Sequence, residues 1–212
     1  MKLLIVDDYA LARDGLRQAA EALSPDILVL EAQNAAEAFA LLEADPDIHL
    51  VLLDLMLPGV NGFSALEQMR RQFAGVPVVV ISSADQSRDV VRVLNAGAMG
   101  FIPKSSKREI IVRALRLVLS GGVYIPIEVL GRRPNSDEGT QARRLRNPEE
   151  TGLTERQRQT LRLVGQGKPN KVIARELGIA EATVKAHITE IFRALKVTNR
   201  AQAAIAAHQF DL

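Results

Sequence analysis

The sequence predicts two domains: an α/β domain built on a doubly wound, parallel five-stranded sheet, then a small all-α domain of four helices. Three observations carry this expectation. Over residues 1–120, five short β-branched and aliphatic runs alternate with segments rich in Ala, Leu, Arg and Glu. Strand–helix repeats at that spacing bury a parallel sheet beneath helices on both faces. Residues 131–150, "GRRPNSDEGTQARRLRNPEE", then contain one leucine and no other large aliphatic or aromatic residue, the composition of a solvated linker. From Leu153 a helical period returns. The boundaries expected on this reading are 1–122, 123–150 and 151–212.

The expected strands are Leu3–Val6, Ile27–Leu30, Leu50–Leu53, Val76–Ile81 and Phe101–Ile102. They are nearly continuous in apolar residues, as strands covered on both faces should be. The pattern fades after Gly121-Gly122. In the C-terminal region, "LTERQRQTLRLV" opens on a capping-box pattern, Thr154 with Gln157 three residues on. "NKVIARELGI" reads as a short amphipathic helix closed by Gly178. "EATVKAHITEIFRAL" puts Val184, Ile188, Ile191 and Leu195 on one face, and "NRAQAAIAAH" supplies a last short helix. A tight glycine turn between the second and third of these helices fits a helix-turn-helix module.

Composition narrows the function classes. Hydrophobic residues make up 47% of the 212, too many for a disordered chain. With no cysteine, structural disulfides and zinc–thiolate sites are excluded, which suits a reducing cytoplasm. "MKLLIVDDYA" has four apolar residues before its aspartates, short of a signal-peptide core. No stretch approaches the roughly 18 apolar residues of a membrane span. The expectation is a soluble, cytoplasmic protein without a membrane partner. The net charge of +2 is uneven: −3 over residues 1–127, 0 over 128–150 and +5 over 151–212. A polyanion partner is therefore expected at the C-terminal end.

In an open parallel sheet, ligands bind beyond the C-terminal strand ends, where strand order reverses. Asp7 and Asp8 follow the first run, Asp54 the third, Ser82 and Ser83 the fourth, and Lys104 the fifth. All fall at that same edge. Taken singly, Asp8 would serve equally as a helix cap, the serines as strand ends and Lys104 as a solvated charge. Asp54 is harder to explain, because desolvating a lone carboxylate inside "LVLLDLMLPGVNG" costs several kcal/mol. Three carboxylates make a hard-oxygen site suited to Mg²⁺ that keeps several waters. Lysine and serine suit phosphoryl oxygens. A carboxylate beside such an ion can attack phosphorus to give an aspartyl phosphate.

Residues 1–120 resemble a response-regulator receiver domain, through "LLIVDDY", "LVLLDLMLPGVNG", "VVVISSAD" and "GFIPKSS" in that order. The resemblance implies a flavodoxin-like fold with Asp54 as phosphoacceptor and Asp7, Asp8 and Asp54 as Mg²⁺ ligands. It also implies Ser82 as the switch hydroxyl, Lys104 as the phosphate-binding lysine and Phe101 as the aromatic that swings inward. Pro58 and Gly59 match the family's turn. Met56 and Ala84 occupy the positions that tune phosphate lifetime; both are apolar, which implies a fairly long-lived phosphate. Ser105 follows Lys104 where many receivers have proline after an often-cis peptide.

The segment from "LTERQRQ" through "TVKAHITEIFRALKVTNRAQAA" resembles the LuxR/NarL-type DNA-binding domain. The resemblance implies a scaffold helix at Asn170–Leu177 and a recognition helix at Glu181–Leu195. The latter would enter the major groove of double-stranded DNA. Lys185, Ala186 and Thr189 align with base-reading positions, His187 reads as a groove-edge or phosphate contact, and Lys171, Thr183 and Arg200 as phosphate contacts. Ala180 replaces the family's usual N-capping serine, and Gln157 its usual glutamate.

Together these resemblances imply a non-enzymatic transcriptional response regulator. It would be activated by phosphoryl transfer from a sensor histidine kinase to Asp54 and act as a homodimer on DNA. Two other readings stay in view. A phosphorylation-independent DNA binder would keep only a vestigial receiver, against the full set Asp7, Asp8, Asp54, Ser82 and Lys104. A haloacid-dehalogenase-like phosphohydrolase would need a second aspartate two residues after the nucleophile, where Met56 stands.

Overall fold

The five apolar runs form five parallel strands: β1 (Lys2–Val6), β2 (Leu28–Ala32), β3 (Ile48–Asp54), β4 (Val78–Ser82) and β5 (Gly100–Pro103). Their order across the sheet is β2-β1-β3-β4-β5. The structure, a computed structural model, describes residues 1–59, 61–83, 87–126 and 152–210. Helices α1 (Ala10–Glu21), α2 (Ala35–Ala44), α3 (Gly62–Gln72), α4 (Ser87–Asn95) and α5 (Arg108–Leu119) connect and follow the strands. The chain divides into two units, Met1–Leu119 and Ser120–Leu212.

Burial explains which strands are plainest in sequence. Every residue of β4 is buried, and every residue of β3 except His49. Each fully buried aliphatic side chain contributes about 1.5–3 kcal/mol of transfer free energy. By contrast β2 is an edge strand with only Ala32 fully buried. It runs over Leu28–Ala32 rather than the expected Ile27–Leu30, because main-chain pairing of Glu31 with Ile5 and Ala32 with Val6 carries it past the apolar run.

The strand order reverses between β1 and β3. Val6 pairs with Leu53, so the next residues, Asp7 and Asp54, leave adjacent strands side by side at the crevice. Beyond Asp54 the chain must turn sharply, and Gly62 permits it. A Cβ there would fall 2.5 Å from the Leu55 carbonyl oxygen. The Gly62 amide instead donates to that oxygen at 3.2 Å. Gly59 takes φ +79° in the same loop, and Asn61 caps α3 by accepting from the Phe63 amide. Among the described residues every peptide bond is trans, that between Lys104 and Ser105 included.

The second unit contains α6 (Glu155–Gly165), α7 (Asn170–Leu177), α8 (Glu181–Leu195) and α9 (Arg200–Gln209). The capping box forms as expected: the Gln157 amide donates to Thr154 Oγ1 at 3.3 Å and the Thr154 amide to Gln157 Oε1 at 2.8 Å. Gly178 ends α7 at φ +65°, a left-handed cap that turns the chain into α8. Val184, Ile188, Ile191 and Leu195 are buried together with Leu161, Val164 and Ile173. Small residues let α9 approach α6, since a Cβ on Gly165 would meet that of Ala207 at 2.7 Å. Val123 is buried and donates to the Gly167 carbonyl at 3.4 Å, and Ile125 packs on the same core. These two residues, placed in the linker from the sequence, thus pack within this unit. Ala84 and residues 127–151, which include most of the expected linker, lie outside the described residues. Among the described residues no helix is long and apolar enough to cross a membrane.

Candidate functional site

At the β1–β3 crevice, Asp7 and Asp54 are 0% and 2% exposed. Asp8 beside them is open to solvent. One carboxylate oxygen from each of the three lies within 4.8 Å of the others. Lys104 enters from the loop after β5, with Nζ donating to Asp54 Oδ2 at 2.8 Å. Nζ also forms an ion pair with Asp7 Oδ2 at 2.7 Å, and among the described residues that oxygen accepts no aligned hydrogen bond. Burial pulls the Lys104 ammonium down, but the Asp54 and Asp7 carboxylates outweigh it and hold its pKa above the ordinary 10.5. One lysine thus bridges two buried acids.

Two features fit the cluster to a divalent cation. The donors are all carboxylate oxygens, the hard ligands Mg²⁺ takes. Asp54 Oδ1 is also buried, with no hydrogen-bond partner among the described residues. An orphaned anionic oxygen costs several kcal/mol, a cost that a bound cation would offset.

Ser82 closes β4 fully buried, and its carbonyl accepts from the Lys104 amide at 2.9 Å. That bond ties the ends of β4 and β5 at the same edge. Phe101 is buried in β5, level with Val80, so its ring already faces inward. Met56 lies exposed in the loop after Asp54. A groove of about 610 Å³ starts at Asp8 and runs along this loop past Met56 and Pro58 to Phe63, Asp89 and Arg92. The Arg92 guanidinium sits 4.1 Å from the Phe63 ring centroid, a cation–π contact between α4 and α3. Sequence reasoning missed Gly62, which acts through its close approach to the Leu55 main chain, and Arg92, whose ring partner Phe63 is remote in the chain.

In the second unit, Thr183, Lys185, Ala186 and Thr189 lie exposed on α8 and Lys171 on α7. Lys185 has only a loose pairing with Glu181 at 4.0 Å. The Thr189 hydroxyl donates back to the Lys185 carbonyl at 3.1 Å, leaving its lone pairs as acceptors. His187 departs from this face. It is half-buried, with Nδ1 3.3 Å from Thr160 Oγ1 on α6.

Arg200 departs further. It is buried, with Nη1 donating to Asn170 Oδ1 at 2.8 Å and Nη2 to the Lys168 carbonyl. Burial lowers its pKa to about 10, so it is fully charged at neutral pH. It braces the loop before α7. An arginine that opens a helix after "TN" reads as solvated from sequence, because its partners sit some thirty residues earlier.

Comparison with known proteins agrees with this geometry. Residues 3–116 match the response regulator receiver domain and residues 151–207 the bacterial regulatory proteins of the luxR family. The chain belongs to the LuxR-type DNA-binding response regulators of two-component systems. It is 36% identical to the glycerol metabolism activator of Pseudomonas putida, across 99% of this chain and 96% of that one. It is 35% identical to the nitrate/nitrite response regulator protein NarL of Escherichia coli K12, across 98% and 94%. A LuxR family DNA-binding response regulator from Silicibacter pomeroyi, solved as a crystal structure, superposes with TM-score 0.54 at 32% identity. That match covers 60% of this chain and 98% of the other.

Proposed function

We propose that Asp54 accepts a phosphoryl group from a sensor histidine kinase and that this transfer switches the DNA-binding unit. The observation that carries the reading is the convergence on Asp54. Asp54, a buried carboxylate with one oxygen unpartnered among the described residues, stands with Asp7, Asp8, Lys104 and Ser82, the five residues coming from four different strand ends. An Asp54 oxygen attacks phosphorus in line, the bond from phosphorus to the kinase's histidine nitrogen breaks, and the imidazole leaves with the bond's electrons. Mg²⁺ held by Asp7, Asp8 and Asp54 would neutralise charge on the transferring group. Lys104, already 2.8 Å from Asp54, would reach one phosphoryl oxygen, and the Ser82 hydroxyl another. Movement of Ser82 would be accompanied by Phe101, which is buried in the neighbouring strand. The phosphoryl group stays on the protein, so the chain acts as a regulator and not as an enzyme.

The DNA-facing set is Lys185, Ala186 and Thr189 for base edges and Lys171 and Thr183 for phosphates. His187 and Arg200 hold α8 and the α7 loop in place. The chain would act as a cytoplasmic homodimer, since two modules on a palindrome gain affinity through effective concentration.

The test is treatment with a small phosphodonor and Mg²⁺, followed by mass spectrometry and binding to a genomic DNA library. The expected result is one phosphoryl group on Asp54, changed DNA binding, and neither effect in Asp54→Asn. If Asp54→Asn bound DNA and regulated transcription as the parent protein does, with and without donor, the receiver would be vestigial.

A further inference from the structure

Arg13 lies on the first turn of α1 and belongs to no expected site, yet its side chain is only 12% exposed. Its Nη1 donates to the Asp7 main-chain carbonyl at 2.8 Å. Its Nε donates to Glu31 Oε2, near the end of β2, at 3.0 Å. The planar fork of arginine makes both bonds at once, which the single ammonium of lysine cannot match.

The first of these bonds falls on a critical peptide. The Asp7 carbonyl belongs to the rigid unit that joins Asp7 to Asp8, so its orientation sets where the Asp8 backbone begins. Asp7 has two further anchors: its amide donates to the Ala32 carbonyl at 3.1 Å, and its Oδ1 accepts from the Tyr9 amide at 2.9 Å. Asp8 has no such support. Among the described residues no hydrogen bond or ion pair to its exposed carboxylate is found. The direction of that carboxylate therefore depends on the peptide before it.

We propose that Arg13 is a positioning residue for the cation site, its guanidinium fixing the Asp7–Asp8 peptide so that both carboxylates face Asp54. Glu31 anchors the guanidinium from the neighbouring strand. Arg17 also approaches Glu31, with Nε 3.5 Å from Oε1, and pairs with Asp14, but it makes no bond to the β1–α1 loop among the described residues. It supplies a control that disturbs Glu31 and leaves Asp7 alone.

The inference rests on the acidic cluster holding Mg²⁺, as proposed above. The experiment is Mg²⁺ binding to the full-length protein by calorimetry, with amide resonances of Asp7 and Asp8 followed by NMR. Arg13→Ala is expected to weaken Mg²⁺ binding on the order of tenfold, as loss of an outer partner of a metal ligand does. It should also move the Asp8 resonance. Arg13→Lys should recover part of the loss, and Arg17→Ala should match the parent protein. A parent protein that does not bind Mg²⁺ would sink the cation site itself. A parent that binds, with Arg13→Ala within about twofold of it, would sink the role of Arg13 alone. Equal losses in Arg13→Ala and Arg17→Ala would do the same, marking a general effect of charge. Should Arg13→Ala fail to fold, Glu31→Gln replaces it. Weaker binding in Glu31→Gln than in Arg17→Ala supports the proposal, and equal binding overturns it.

Discussion

The acidic edge of the sheet and the outer face of α8 are prepared for their ligands in opposite ways. At the edge, Asp7 and Asp54 are buried and their shared counter-charge, Lys104, is already in place. The folded chain has met the cost of desolvating them, and what it gains is fixed geometry. On α8, Lys185 and Thr189 stand in water with no firm external partner among the described residues. Their desolvation is deferred until DNA arrives, so the face is adaptable and adds little to stability. Substitutions in the first region should therefore change folding and chemistry together, and those on the exposed face binding alone.

The largest expected effect falls on Lys104. Lys104→Ala leaves Asp7 and Asp54 without their common cation, and breaking a buried pair from one side costs about 3–5 kcal/mol. Denaturant unfolding in chelator-treated buffer should show the loss, and added Mg²⁺ should restore much of it. The pH dependence has a defined sign. The Lys104 pKa is raised in the folded state, so its contribution is fully present below the unfolded value of 10.5 and is lost as pH rises through the folded one. The parent protein should show this alkaline loss and Lys104→Ala should not. Equal stabilities in chelator would mean that the edge is no more committed than the α8 face.

Arg200 and Lys171 sharpen the comparison inside one unit. Both are basic residues first read as phosphate contacts, but Arg200 is buried and bonded and Lys171 is exposed. Arg200→Ala leaves the Lys168 carbonyl without this donor and should cost about 1–3 kcal/mol of stability. Lys171→Ala should leave unfolding within about 0.5 kcal/mol. It should instead flatten the slope of log K against log salt for DNA by about 0.9. Unfolding and salt titrations of the two variants separate the roles. A flattened salt slope in a fully stable Arg200→Ala would return that residue to the DNA-facing set.

The same contrast explains what could be read from the sequence. β1, β3 and β4 are legible because burial on both faces leaves nearly unbroken aliphatic runs, and Asp54 is conspicuous because it interrupts such a run. Residues that act through the main chain are not legible. Gly62 is needed for its approach to Leu55, and Arg13 for its bond to the Asp7 carbonyl. Neither pairing follows from residue type or spacing. The buried setting of Arg200 was not legible for a related reason: composition identifies a charge but not the carbonyl that will take it. His187 shares a helix with Lys185, but its place in the turn directs it toward Thr160.

The smallest expected effect concerns the start of α8. Ala180 holds the N-cap position with φ −68° and ψ 149°, an extended geometry suited to a cap, but it has no side-chain bond to offer. The first turn of α8 therefore lacks the side-chain acceptor that Thr154 provides for α6, and its Thr183 amide turns instead to the Ala180 carbonyl at 3.0 Å. Ala180→Ser places a hydroxyl in backbone geometry already correct for accepting from the second or third helical amide. It should stabilise the unit by about 0.5–1 kcal/mol, read as a higher denaturant midpoint at unchanged slope. Because Ala180 lies just outside α8 and Lys185 and Thr189 on its exposed face, intrinsic DNA affinity should hold if that face is already fully helical. A gain in affinity alongside the gain in stability would show instead that the first turn of α8 is ordered only on DNA, extending the deferred cost of this face from its side chains to its backbone.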